Sequence, residues 1–125
     1  MEVLNMAKKA VIILNDGPND PNRATVAFLT AKALKEAGME VSIWLYNDST
    51  YLMKKGVIEN VQAPGLPPLE DLFLYLSMNA KVPIYIGVSC AEGRGITKEE
   101  IEYGELAGPP KLAELISEAD VVIGF

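Results

Sequence analysis

Residues 9–46, KAVIILNDGPNDPNRATVAFLTAKALKEAGMEVSIWLY, decide the fold. Lys9 to Leu14 is apolar on successive positions and β-branched, the pattern of a strand covered on both faces in a parallel sheet. Asn15-Asp16-Gly17-Pro18 ends it. Asp20 then reads as an N-cap with Pro21 at the first helical position, and the helix runs to Ala37, where Gly38 stops it. A second strand follows at once, Glu40 to Tyr46. Strand, loop, helix, strand is the repeating unit of an α/β fold, and connections of this length imply right-handed crossovers and a largely parallel sheet.

Working outward, Asp48 reads as the cap of a short helix through Lys55 that closes at Gly56. The Pro/Gly-rich stretch from Glu59 to Pro68 reads as a loop over the carboxyl edge or as a lid. Leu69, Leu72, Phe73 and Leu76 give helical spacing, while Leu74, Tyr75 and Met78 extend the apolar surface around the cylinder, so two sides of this helix need cover. Another subunit is one such cover. Pro83 to Val88 is a further strand, Thr97 and Glu100 form a capping box that opens a short helix, Leu112, Leu115, Ile116 and Ala119 mark a last helix, and Asp120 to Phe125 is a closing strand.

The chain has 125 residues, 50% of them hydrophobic, which suits one domain that buries about two thirds of its unfolded surface. Residues 1–8 read as an N-terminal extension. No apolar run approaches the roughly 20 residues of a membrane span. The start, Met1 to Lys9, has no stretch resembling a secretory signal, and the expectation is a cytoplasmic protein. The net charge of −6, from 17 acidic and 11 basic residues, with no Lys/Arg cluster, argues against nucleic acid and anionic membranes as partners. There is no histidine, which excludes histidine metal sites and imidazole-activated nucleophiles; no metal and no cofactor are expected.

Cys90, the only cysteine, stands where the strand Pro83–Val88 breaks into Ser89-Cys90-Ala91-Glu92-Gly93-Arg94-Gly95. Parallel α/β domains gather ligands at such carboxyl edges. Thiolates are the reactive form of cysteine and are favoured by nearby cations and backbone N–H groups. The expectation is a turn in which the N–H groups of Ala91 to Gly93 and the Arg94 guanidinium face the sulfur, Gly93 and Gly95 permit the approach, and Glu92 points to solvent. The plainer reading is a buried cysteine acting as a small hydrophobe. The loop Asn15 to Arg23 leaves a strand and enters a helix, but it has no G-x-G-x-x-G and no Walker lysine, so helix capping is its usual reading, with Asn15 and Asp16 as candidates to line a shared pocket. Tyr46, Asn47, Asp48 and Tyr51 occupy the end of the second strand, Tyr51 being placed to shield or hydrogen-bond the thiol. The acidic residues from Glu99 to Glu105 read as a solvated helix face.

These segments, Asn15-Asp16-Gly17-Pro18, Asp48 with Tyr51 to Gly56, Ser89 to Ile96, and Glu118 to Val122, taken in this order, resemble the DsrE/DsrF/TusD-like proteins of sulfur relay. The resemblance implies a flavodoxin-like (DsrEFH-like) three-layer α/β/α domain with a mainly parallel five-stranded sheet, assembled as homotrimers or hexamers. It also implies a sulfur carrier or sulfurtransferase that works with a relay partner. Many such proteins carry a Cys-x-x-Cys pair, whose second cysteine matches Cys90 and whose first, the persulfide carrier in the best understood subunits, falls on Gly87. Three residues along a strand end correspond to roughly 10 Å and a change of face, so Cys90 is not automatically equivalent to the missing thiol. Three functions follow as expectations. The first is persulfide transfer on Cys90, the second a non-catalytic oligomeric module that binds a small molecule or partner, and the third, by shared fold alone, a nucleotide or flavin protein.

Overall fold

A computed structural model describes residues 7–125, and the extension expected over residues 1–8 lies mostly outside them. Five parallel strands, β1 (Lys9–Leu14), β2 (Glu40–Leu45), β3 (Ile84–Gly87), β4 (Glu105–Ala107) and β5 (Val121–Gly124), lie in the order β4-β3-β2-β1-β5. Helices α1 (Pro21–Glu36), α2 (Leu69–Leu74), α3 (Val88–Gly93) and α4 (Pro109–Glu118) connect them. The register Ala10↔Val41, Ile12↔Ile43 and Leu14↔Leu45 puts alternate side chains of β1 and β2 on the same face.

That face carries the core. Ile12, Leu14, Ile43, Leu45, Ile84 and Ile86 pack against Ala24, Ala27, Phe28 and Ala31 of α1 and against Leu69, Leu72, Phe73 and Leu76 of the α2 segment. The chain steps from β1 to β4 in one direction and then returns across the whole sheet to β5. Right-handed crossovers therefore put α1 and α2 on one face and send α4 to the other. The three-layer α/β/α expectation and the five-stranded parallel sheet are both found.

Asp20 caps α1 by accepting from the Arg23 N–H at 3.1 Å, and Gly38, at φ 93°, lets the chain turn into β2. The capping box at Thr97 is also present, with Glu100 Oε1 2.9 Å from the Thr97 nitrogen. The helix expected after it is a single 3₁₀ turn, Lys98–Glu100, and the chain then enters β4, a strand the sequence pattern does not show. Three residues on a half-exposed edge leave too short a run to display a period. The expected helix from Asp48 is a 3₁₀ segment, Asn47–Met53, entered without a side-chain cap, and α2 ends in a π turn, Tyr75–Asn79. Beyond the buried stripe of α2, Leu74 and Met78 are 44% and 63% exposed. No helix among the described residues is long and apolar enough to cross a membrane.

Candidate functional site

Three loops at the carboxyl edge are stitched together, and the stitching places the thiol. The β2 exit is tied to β1 by the Tyr46 N–H donating to the Leu14 carbonyl at 3.2 Å, and by Ser49 Oγ donating to the same carbonyl at 2.7 Å. Gly17 lets the β1 loop press against the β2 loop, since any Cβ there would collide with the Asp48 carbonyl oxygen. Asn47 takes a left-handed backbone, φ 53°, which asparagine tolerates better than most residues, and Thr50 Oγ1 holds its carbonyl at 2.8 Å.

The third loop differs from expectation. α3 begins at Val88, directly after β3, with Gly87 as its cap, so residues 88–93 are helix rather than turn. Its end is a Schellman motif: the Gly95 N–H donates to Glu92 at 3.0 Å, the Ile96 N–H donates to Ala91 at 2.9 Å, and Gly95 sits at φ 71°. Gly95 therefore terminates a helix instead of opening an approach to sulfur, and Gly93 has open space around its Cβ position. The N–H groups of Ala91 to Gly93 lie within the helix and do not form an anion cradle.

Arg94 is also redirected. Its Nε donates to Asp48 Oδ1 at 2.9 Å and its Nη1 to the Cys90 backbone carbonyl at 3.2 Å, because the Asp48 carboxylate is the nearest negative charge. It clamps α3 to the β2 loop. Glu92 is exposed to solvent, as expected. Tyr51 faces a separate hollow with Pro18, Asn19, Asp48 and Val57, and it is Tyr46 that lines a cleft together with Cys90.

Cys90, a half-buried free thiol, lines a cleft of about 250 Å³. Trp44 and Tyr46 of the β2 end, Ile13 of β1, and Pro109 and Leu112 of α4 form much of its wall. None of these wall residues carries a charge, so the cleft suits an apolar group presented to the sulfur. The α4 wall depends on sheet order, which the sequence pattern does not reveal. Asn15 and Asp16 do reach the site, but through Asn47. Asn47 Nδ2 donates to Asn15 Oδ1, Asn15 Nδ2 donates to Asp16 Oδ1 at 3.0 Å, and Asn47 Oδ1 lies 3.9 Å from Cys90 Sγ.

Gly87 lies beneath the thiol. A Cβ at position 87 falls 3.9 Å from Cys90 Cβ and 3.8 Å from its Sγ. Helical spacing, i and i+3, makes positions 87 and 90 neighbours on one face, whereas the extended reading separated them by roughly 10 Å. Position 87, where the resemblance places a first cysteine, and Cys90 are thus neighbours on one face.

Comparisons agree with this architecture. The family model of the DsrE/DsrF-like family matches residues 8–125. An uncharacterised protein of Methanopyrus kandleri, MK0008, is 32% identical over 117 residues, 91% of each chain. The E. coli ychN protein structure superposes with TM-score 0.77 at 23% identity, covering 96% of this chain and all (100%) of that one. MTH1491 of Methanobacterium thermoautotrophicum, described as of unknown function, gives 0.70 at 10% identity over 94% and 99% of the two chains. The two structures are similar in fold.

Proposed function

We propose a function for this chain from the family to which it belongs, the DsrE/DsrF-like family: it is a sulfur-relay carrier that accepts sulfane sulfur on Cys90 as a persulfide. The observation that carries this reading is the position of the only thiol, half-buried on the wall of an uncharged cleft at the carboxyl edge. In the transfer, Cys90 sulfur attacks the outer sulfur of an organic persulfide, R–S–SH. The donor S–S bond breaks, a Cys90 S–S bond forms, and the Cys90 proton leaves with the departing thiol, R–SH. No oxidant is consumed. A compartment that keeps a single thiol reduced, the cytoplasm, suits this chemistry. The exposed side of α2, with Leu74 and Met78, supports self-association into the trimer or hexamer that the family resemblance implies.

Intact-mass measurement after incubation with an organic persulfide tests the proposal. Wild type gains one sulfur atom, and Cys90→Ser gains none. The absence of Cys at position 87 favours the second reading, a non-catalytic module that binds a small molecule or partner in the same cleft. An unmodified wild type would defeat the first reading.

A further inference from the structure

The carboxyl-edge loops contain a chain of side-chain amides that ends on the thiol, and each member's orientation follows from the one before it. The oxygens of Asp16 only accept here. Its Oδ2 lies 3.1 Å from Arg23 Nε, while its Oδ1 accepts from Asn19 Nδ2 at 3.1 Å and from Asn15 Nδ2 at 3.0 Å. The Asn15 amide is thereby fixed with its NH₂ towards Asp16 and its oxygen away. That oxygen requires a donor, and Asn47 Nδ2 supplies it. Asn47 must then present its own oxygen to the remaining neighbour, Cys90 Sγ, at 3.9 Å, within reach of a weak S–H donor. Reversing Asn47 alone would set its oxygen against Asn15 Oδ1, and reversing Asn15 with it would set the Asn15 oxygen against Asp16 Oδ1.

The Asn47 backbone is held as firmly as its amide. Thr50 Oγ1 donates to its carbonyl, and the single Ser49 hydroxyl proton is shared between the Leu14 and Tyr46 carbonyls beside it. We propose that Asn47 is a positioning residue for Cys90: the relay Arg23–Asp16–Asn15–Asn47 presents one acceptor oxygen to the thiol, directs the S–H bond towards Asn47 and turns the sulfur lone pairs towards the cleft. This orientation of the thiol stands independently of the persulfide reading.

Because the chain has a single cysteine, its S–H stretching band in the Raman spectrum belongs to Cys90 alone. A hydrogen bond to oxygen lowers that frequency. Wild type is compared with Asn47→Gly, which keeps the left-handed backbone and removes the acceptor, and with Asn15→Ala, which leaves Asn47 in place and frees its amide to reverse. The wild-type band is expected at lower frequency than in Asn47→Gly, and Asn15→Ala is expected to show both positions. Coincident wild-type and Asn47→Gly bands overturn the proposal, and an Asn15→Ala band identical to wild type overturns the anchoring through Asp16. Failure of wild type to load at all defeats the carrier function and leaves the spectroscopic result standing.

Discussion

Gly87→Cys converts the geometry beneath the thiol into a measurable bond. A Cβ at position 87 lies 3.9 Å from Cys90 Cβ, inside the range of about 3.5–4.5 Å found in disulfides. The native φ of −57° at Gly87 is one that any residue adopts, so the substitution carries no backbone penalty. The new Cβ is 3.3 Å from the Leu45 carbonyl oxygen, a tight contact. Relieving it costs about 1 kcal/mol in the reduced variant. Closing the short loop from 87 to 90 removes about 2 kcal/mol of unfolded-chain freedom. The oxidised variant should therefore melt about 8 °C above its own reduced form, on the scale of roughly 4 °C per kcal/mol for a chain of this size. Mild oxidation at low protein concentration, a thiol count and intact mass give the bond, and thermal melts with and without reductant give its contribution. Two free thiols after oxidation, with monomer mass unchanged, would refute the placement of Gly87 and Cys90 on one helical face.

Other substitutions read different links of the account. Gly17→Ala, whose Cβ meets the Asp48 carbonyl oxygen, should lose about 2 kcal/mol or more in urea denaturation. Gly93→Ala, with open space at its Cβ, should stay within about 1 kcal/mol of wild type. Leu74→Glu should lower the assembly mass in light scattering, and an unchanged mass would exclude that side of α2 as the contact. Glu100 is held below the usual carboxylate value of 4.5, first by the Thr97 backbone N–H. Its stabilisation is therefore present above pH 4.5 and lost as pH falls through the lowered folded-state value. Glu100→Gln should flatten the stability profile in that acid range, and an identical profile would assign no role to the box.

The fold was largely legible where local chemistry and global topology agree. Asp20, Pro21 and Gly38 bound α1 by rules that act within four residues, and the apolar runs of β1 and β2 require cover on both faces. β4 was hidden because Glu105-Leu106-Ala107 is too short for periodicity. α3 was misread because Gly93-Arg94-Gly95 has the composition of a turn, while only the left-handed Gly95 is structurally required. The place of Cys90 at the carboxyl edge was legible from the strand that ends before it. Asn47 was recognised only as part of the β2 exit, because its role depends on partners 32 and 43 residues away. An asparagine directly after a strand, where a left-handed residue fits, was the available signal. Sheet order, and with it the α4 wall of the cleft, is a long-range property that no local pattern carries.

The most direct measurement is the rate at which an organic persulfide loads Cys90 in the folded protein, compared with the same chain unfolded in urea, both read by intact mass. The account predicts loading faster in the folded protein by about tenfold or more, a barrier lowered by roughly 1.4 kcal/mol or more. A folded rate equal to or below the unfolded one would contradict it, because Cys90 would then be a thiol that the cleft merely contains.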